Sequence, residues 1–366
     1  IWASRHGLEE PELLDLLGDG DTRLPGAYWS PLRIAASALL IERAGRVDFA
    51  HDFIRTAVEH RYLPTETDRL AVRERLAGYF RGLGPTPRAL DEAPWQLAQA
   101  GRWDELVALL VDPGWFVALY RLDEFEVRRY WVAIEAGSDR RAAIAYTPPL
   151  ASDPGEVDAH YLNGVAVLLG GLGSPGAALP FLERLHTWAV DHGDQWWLQV
   201  SLGNQAVIHG VRGELDRAME LHRECEQICR TLGDPAVLQA SLCGQGLIHW
   251  DRGELDRALE LLRDQERISR GLGDLSGLSI SLGNQASIHW DRGELDRALE
   301  LSGAQERICR ELGDPAGLAQ SLAHQVLVLR DRGDDGRAAG TMAEALDYAR
   351  RSGHAALIEW IESLAG

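Results

Sequence analysis

Apolar residues recur at helical spacing in the second half of the chain. Between residues 254 and 271 they fall three or four positions apart, which places them on one helix face, while 235–250 is apolar on more than one side. The positions are Leu255, Ala258, Leu259, Leu262 and Ile268 in the first stretch, and Leu238, Leu242, Leu247 and Ile248 in the second. The pattern predicts two packed helices, one of them covered by neighbours on both sides.

This two-helix pattern repeats every 40 residues. When 234–273 is aligned with 274–313, 26 of the 40 positions are identical, and residues 248–261 and 288–301 share the run Ile-His-Trp-Asp-Arg-Gly-Glu-Leu-Asp-Arg-Ala-Leu-Glu-Leu. A fixed period of this length is the signature of a solenoid of stacked units.

Local sequence signals predict where each helix ends. Gly233, Gly273 and Gly313 suit the left-handed conformation that closes a helix, and Asp234 followed by Pro235 suits the start of the next. Such short connections predict antiparallel hairpins. We expect a mainly all-α chain with about five 40-residue hairpins within 151–353 and a capping helix at 354–366. The hairpins are predicted at 154–193, 194–233, 234–273, 274–313 and 314–353.

The turn Gly-Glu-Leu-Asp-Arg-Ala resembles that of the tetratricopeptide repeat (TPR). The 40-residue unit departs from the usual 34-residue form of this family, and glutamine stands where leucine is common. The run Ser-Leu-Gly-Asn-Gln-Ala, at 201–206 and 281–286, looks like the arrays appended to bacterial signalling NTPases. The resemblance implies a TPR-type α-solenoid that binds a protein or peptide.

The first 150 residues have a different pattern. We predict a helix at 9–17, a second helix from the Ser30 cap and Pro31 to about Arg43, a short strand at 45–50 and a helix from His51 to near Tyr62. This order of elements, two helices followed by a short hairpin and a third helix, predicts a winged-helix-like domain over 1–85. Residues 86–150 are interpreted as a helical spacer before the repeats.

The order of these segments resembles the C-terminal part of STAND signalling NTPases, the NACHT and NB-ARC proteins. Phe49-Ala50-His51-Asp52 looks like the family's His-Asp signature, and the resemblance implies that His51 and Asp52 contact the phosphates of ATP or ADP held by an upstream NTPase domain. The start at Ile1 is interpreted as the cut edge of a longer protein, so no cofactor is expected in these residues themselves. The alternatives are a surface His-Asp pair without a nucleotide role, and a winged helix that reads DNA.

Charge and composition narrow the function classes. The net charge is −19, all 37 basic residues are arginine, and an acidic surface disfavours binding to phosphate backbones. Without lysine the chain cannot supply a P-loop. No apolar run reaches the length of a membrane helix, so no membrane association and a cytoplasmic location are expected. The cysteines Cys225 and Cys229, near His222, are interpreted as core residues rather than as a metal site.

Two sets of repeated aromatic side chains remain. His209, His249 and His289 recur 40 residues apart, too far in neighbouring hairpins to share one metal ion, and are predicted to fill positions between helices. Trp250 and Trp290 fall where first helices of such repeats line the inner groove, and plain packing between repeats is the alternative. The predicted groove residues are Val207, Leu247, Trp250, Asp251, Trp290 and Asp291.

No set of residues has a credible catalytic spacing, so we expect no enzyme activity from this region. The sequence predicts a protein-protein interaction scaffold or sensor of a STAND-type protein, in which the array binds a trigger or maintains autoinhibition. A missing NTPase domain would then govern the oligomeric state. The alternative is a freestanding TPR adaptor that binds a peptide or protein in its concave groove.

Overall fold

The computed structural model of the chain describes residues 1–19, 22–147 and 158–365. It divides into two compact units, residues 1–181 and 182–366. Within the described residues there are twenty helices and one small sheet, so the chain is nearly all α-helical, as predicted. Among these helices, none has both the length and the apolar character that crossing a bilayer requires.

The N-terminal unit begins with a three-stranded antiparallel sheet. The strands are β1 (Leu8–Glu9), β2 (Leu40–Arg43) and β3 (Arg46–Phe49), in the order β1-β3-β2. Ala44 and Gly45 both have positive φ, which suits the tight two-residue turn between β2 and β3. The hairpin and its neighbouring helices α1 (Glu10–Leu17), α2 (Gly26–Ala35) and α3 (Asp52–Tyr62) follow the predicted order. The strand β1 was not predicted.

The predicted limits of the second helix were wrong. It starts at Gly26 rather than after Ser30, and it ends at Ala35 rather than near Arg43. Ser30 lies inside the helix and its hydroxyl donates to the Gly26 carbonyl over 2.9 Å, so Ser30 is not the cap. The helix stops early because residues 40–43 pair along β3, with Leu40 opposite Phe49 and Arg43 opposite Arg46.

Seven further helices complete the N-terminal unit up to residue 171. They are α4 (Glu66–Gly82), α5 (Pro87–Gln99), α6 (Trp103–Val111), α7 (Pro113–Leu122), α8 (Glu124–Gly137), α9 (Ala142–Ala145) and α10 (Ala159–Gly171). Aromatic rings fill their core: Phe116 packs edge-on against Tyr146 and Tyr161, and Trp131 donates its indole N–H to the Tyr146 hydroxyl over 3.2 Å.

A buried ionic network joins the N-terminal segment to α5. Glu92 is fully buried and accepts hydrogen bonds from the Ser4 hydroxyl at 2.5 Å, from Gln96 at 2.9 Å and from Arg88 at 2.9 Å. Arg88 also donates to Glu12 on α1 over 3.0 Å. Because a buried carboxylate requires partners of this kind, the network fixes α1 and the chain start on α5.

The C-terminal unit consists of helical hairpins in the predicted 40-residue frame. The helix α11 (Pro175–His192) precedes four hairpins and a closing helix. The hairpins are α12 (Gln195–Val211) with α13 (Leu215–Leu232), α14 (Pro235–Asp251) with α15 (Leu255–Leu272), α16 (Leu275–Asp291) with α17 (Leu295–Leu312), and α18 (Pro315–Asp331) with α19 (Asp335–Ser352). The closing helix is α20 (Ala355–Ala365). The hairpin predicted at 154–193 corresponds to α10 and α11, and its first four residues lie outside the described residues.

The helix ends follow the predicted signals. Gly233, Gly273 and Gly313 have φ of 67°, 69° and 66°, the left-handed conformation that ends a helix. Asp234, Asp274 and Asp314 then cap the next helix by accepting backbone N–H groups with their side chains. Consecutive helices pack against each other from α12 to α20. Buried alanines, among them Ala218, Ala258, Ala298 and Ala338, lie where the helices approach closely.

Candidate partner-binding groove

The first helices of neighbouring hairpins lie side by side and form one wall of the C-terminal unit. Helices α12, α14, α16 and α18 contact one another in succession, and these contacts are more extensive than any between second helices. Because first helices are drawn together, they form the inner side of the stack. This is the wall that the sequence predicted as a groove.

Several apolar side chains on this wall remain open to solvent. Val207 is 57% exposed and Val211 is 72% exposed on α12, and Ile280 is 53% exposed on α16. Leu247 on α14 is half-buried. Of the apolar residues predicted for the groove, Val207 therefore has the largest exposed fraction.

Trp250 and Trp290 both pack between repeats and reach solvent at one edge. The Trp250 side chain packs against the buried cluster that contains Leu262 and Ile288, and its indole N–H donates to Asp291 of the next repeat over 2.6 Å. Trp290 makes the same bond to Asp331 at 2.6 Å. The pairing therefore joins each tryptophan to the aspartate 41 residues ahead, a partner that was not predicted. Asp251 itself is exposed.

The repeated histidines pair with a glutamate across the hairpin turn. Nδ1 of His249 lies 2.6 Å from a carboxylate oxygen of Glu254, and Nδ1 of His289 lies 2.5 Å from Glu294; His209 and Glu214 pair in the same way. The hydrogen bond from His209 lowers the pKa of the Glu214 carboxyl. His249 and His289 are buried, so they fill positions between helices as predicted.

Two glutamines form a ladder of hydrogen bonds between repeats that was not predicted. Gln199 donates to Asp234 over 2.6 Å, and Gln239 donates to Asp274 over 2.6 Å. Ser269 completes the second rung, because its hydroxyl donates to the Gln239 carbonyl oxygen at 2.6 Å. Hydrogen bonds from the Gly277 backbone and from Gln239 lower the pKa of Asp274. The constant spacing of 35 residues between glutamine and aspartate is the sequence signal from which these pairs could have been predicted.

A cavity of about 560 Å³ opens on the same wall near the end of the stack. Helices α16, α17, α18 and α20 all contribute to it. Its lining includes Ser279, Ile280, Gly283, Gln305, Asp314 and Trp360. The volume lies within the range of small-ligand and side-chain pockets.

The predicted nucleotide-contacting pair lies in the other unit. Asp52 is the first residue of α3 and His51 precedes it as the cap position. Both are exposed, and the His51 ring stacks on Phe53 with centroids 5.3 Å apart. An exposed imidazole at a helix start is free to contact another group.

Cys225 and Cys229 lie in the core of α13 with their sulfur atoms 3.8 Å apart. His222, one turn earlier, is buried and its pKa is lowered to about 4 by that burial. Burial raises the pKa of the Cys243 thiol to about 11. His222 and Cys243 are therefore neutral at physiological pH.

Comparison with known proteins supports the repeat assignment. No protein-family model matches the chain. A TPR repeat-containing protein of Dictyostelium discoideum is 29% identical over 137 residues, which is 37% of this chain but only 8% of that protein. The chain therefore matches only a small part of that protein.

Solved structures are similar in fold at low sequence identity. Aspartyl phosphate phosphatase F from Bacillus subtilis matches 86% of this chain and 88% of its own, with 15% identity and a TM-score of 0.53. A STAND protein with a tetratricopeptide repeat sensor from Pyrococcus horikoshii matches 98% of this chain, with 15% identity and a TM-score of 0.49, and the chain spans 58% of its length. The fold is a TPR-like α-solenoid.

Proposed function

We propose that residues 182–366 bind a protein or peptide along the wall formed by the first helices. The observation that carries this proposal is the exposure of Val207, Val211 and Ile280 on that wall, and Ile280 also lines the cavity of about 560 Å³. Contiguous exposed apolar side chains are typical of an interaction surface, and Val207 and Val211 lie one helical turn apart on α12. A stack of repeats offers such a surface without any catalytic group.

The charge of the chain favours a partner with basic as well as apolar residues. The net charge is −19, and Asp251, Asp291 and Asp331 lie at the ends of the wall helices. Complementary charge speeds the encounter of two partners and selects against acidic ones. The same argument disfavours nucleic acid as the partner.

We further infer that the array is the sensor or scaffold of a STAND-type signalling NTPase. The support is the order of elements in the N-terminal unit. Strands and helices follow as β1-α1-α2-β2-β3-α3, and β2 and β3 form a hairpin, as in a winged helix. His51 and Asp52 are exposed at the start of α3, where they would be free to reach a nucleotide held by another domain. ATP or ADP, autoinhibition and assembly would then belong to the longer protein.

The upstream coding sequence separates this inference from a freestanding adaptor. A Gly-x-x-x-x-Gly-Lys-Ser/Thr motif encoded before Ile1 is expected for the STAND assignment. An open reading frame that begins near Ile1 would instead support the freestanding adaptor, which binds its partner in the same groove without control by a nucleotide.

The groove itself is tested with the full 366-residue chain and a displayed library of random peptides. Val207→Arg places a charge on the wall, and Val190→Arg is the matched control because Val190 is 56% exposed and the next repeats carry Arg230, Arg270 and Arg310 at that position. We expect enriched peptides to bind wild type and Val190→Arg but to lose at least about tenfold in affinity on Val207→Arg. Equal binding to all three proteins, or no enrichment, would overturn the proposal.

A further inference from the structure

The tryptophan that bridges neighbouring repeats is replaced by glycine in the first hairpin. Trp250 donates to Asp291 of the next repeat, and Trp290 makes the same bond to Asp331, each over 2.6 Å. The residue 40 positions before Trp250 is Gly210, on α12. Because glycine has no side chain to make this bond, the interface between α12 and α14 has no such bridge.

Asp251 is the carboxylate that a bridge from α12 would reach. It lies 41 residues after Gly210, as Asp291 lies 41 residues after Trp250. Asp251 is the last residue of α14 and is exposed. Within the part of the chain that the structure describes, no side chain donates a hydrogen bond to its carboxylate and no cation pairs with it. Its oxygens can therefore accept from a partner that approaches from solvent.

The apolar surface on which the tryptophans pack is present beside Gly210 as well. Trp250 packs against a buried cluster, which consists of Ala258, Leu259, Leu262 and Ile288. Forty residues earlier the corresponding buried cluster consists of Ala218, Met219 and Ile248. His222 takes the place of Leu262. A Cβ added to Gly210 would lie 4.0 Å from the Cβ of Ala218, which is an ordinary van der Waals contact, so no atom blocks the start of a side chain there.

The wall beside Gly210 is more open than the same place in the later repeats. The residue three positions before the tryptophan is half-buried in the second hairpin, where it is Leu247, and only 8% exposed in the third, where it is Ser287. The corresponding residue of the first hairpin, Val207, is 57% exposed, and Val211 beside Gly210 is 72% exposed. The surface that an indole covers in the later repeats is thus accessible at Gly210.

We propose that this tryptophan site, defined by Val207, Gly210, Val211, Ala218, Ile248 and Asp251, binds a tryptophan side chain of a partner peptide. The ring packs between α12 and α14, and its N–H donates to Asp251 as the chain's own tryptophans donate to their aspartates. Tryptophan combines a large apolar ring with a single N–H donor, and it is enriched among the residues that dominate binding energies. This inference rests on the proposed function, because it names the residue type that the inner wall selects.

The first test measures the affinity of the full chain for a capped Gly-Leu-Trp-Leu-Gly peptide. Companion peptides carry alanine or 1-methyltryptophan, which keeps the ring but has no N–H. Methyl NMR of valine-labelled protein measures each affinity and shows whether the signals of Val207 and Val211 shift. We expect the tryptophan peptide to bind at least about tenfold more tightly than the alanine peptide and about fivefold more tightly than the methylated one.

Asp251→Ala separates the hydrogen bond from the packing of the ring. Without the carboxylate, the tryptophan and 1-methyltryptophan peptides should bind equally, while both should still bind more tightly than the alanine peptide. A preference for the N–H that persists in Asp251→Ala would show that Asp251 is not its acceptor and would overturn the proposed site.

Gly210→Trp fills the site from within the chain, by transplanting the residue of the next two repeats. The new indole should donate to Asp251, so binding of the tryptophan peptide should fall about tenfold or more while the thermal midpoint stays equal or rises. Gly210→Ala is the matched control, because it adds only the Cβ and should keep the affinity of wild type. Equal affinity of wild type for the tryptophan and alanine peptides, or binding unchanged by Gly210→Trp, would overturn the inference.

The two proposals fail in different ways. Displayed peptides that lose binding on Val207→Arg but are unaffected by Gly210→Trp would support the groove and remove the tryptophan site. A tryptophan peptide that binds wild type and is lost on Gly210→Trp, together with no enrichment from the displayed library, would support the site and overturn the wider groove.

Discussion

The imidazole of His222 occupies the space in which a side chain at Gly244 would lie. A Cβ added to Gly244 would be 2.1 Å from Nε2 of His222. The corresponding positions in the next repeat carry Leu262 and Asn284, and those after that carry Ser302 and His324. Each repeat interface therefore fills this space with a different pair of side chains.

This packing predicts coupled substitutions. Gly244→Asn should lower the free energy of unfolding by about 2 kcal/mol, because the new side chain overpacks the interface. The double change His222→Leu and Gly244→Asn transplants the pair of the next repeat and should recover most of that loss. Denaturant unfolding of wild type, both single variants and the double variant measures the coupling. Strictly additive effects would show that the two positions do not share this space.

The same histidine predicts a pH dependence. Burial lowers the pKa of His222 to about 4, below the value of about 6.5 expected in the unfolded chain. The unfolded state therefore binds the proton more readily than the folded state. The contribution of His222 to the free energy of unfolding is fully present above pH 6.5 and is lost as the pH falls towards 4, by about 3 kcal/mol at most. His222→Leu should lose less stability between pH 7 and pH 4. Parallel curves for wild type and variant would contradict the pKa assignment.

Trp250 is predicted to stabilise the stack in two separable ways. Trp250→Phe keeps a six-membered aromatic ring but removes the N–H that donates to Asp291 at 2.6 Å, and at this exposed edge it should cost about 1 kcal/mol. Trp250→Ala also removes the ring between repeats and should cost about 3 kcal/mol. Denaturant unfolding of both variants measures these two losses of stability from the shift in midpoint, provided that the slope of each transition equals that of wild type. An alanine variant as stable as wild type would mean that the ring serves the groove rather than the core.

The network around Glu92 should hold the N-terminal segment in place. Arg88→Met removes the cation that bonds both Glu92 and Glu12 and leaves a fully buried carboxylate, a change that typically costs about 3–5 kcal/mol. Hydrogen exchange is expected to accelerate in β1 and α1. Adding Glu92→Gln should restore part of the protection, because the buried charge is then gone. Unaltered exchange in both variants would count against the network.

Short sequence signals at the helix ends predicted the limits of the repeats. Contacts between residues far apart in the sequence could not be predicted from such signals. Gly273, Asp274 and Asp314 mark helix ends through their own backbone and capping preferences, so the hairpin limits were accessible. The strand β1 exists because Leu8 and Glu9 pair with Val47 and Arg46, which no pattern within residues 8–9 encodes. Likewise Trp250 meets Asp291 only because consecutive repeats stack.

The break in the ladder at Ser279 shows the same limit. Gln199, Gln239 and Ser279 hold the same place in the 40-residue frame, so the substitution is visible in the sequence. Its consequence, a Ser279 hydroxyl that lies 3.1 Å from the Cys309 sulfur instead of a glutamine bonded to Asp314, depends on how the repeats stack. Sequence alignment of the repeats therefore locates the irregular position, and the structure gives its chemical meaning.

The central claim, that a partner occupies the wall of first helices, is tested most directly by site-specific photo-crosslinking. A photo-reactive amino acid replaces Val207 on that wall or Val190 on a second-type helix, in the full chain, and the most enriched displayed peptide is the probe. The account predicts a crosslinked product from position 207 and none from position 190. Crosslinking at position 190 alone would contradict it.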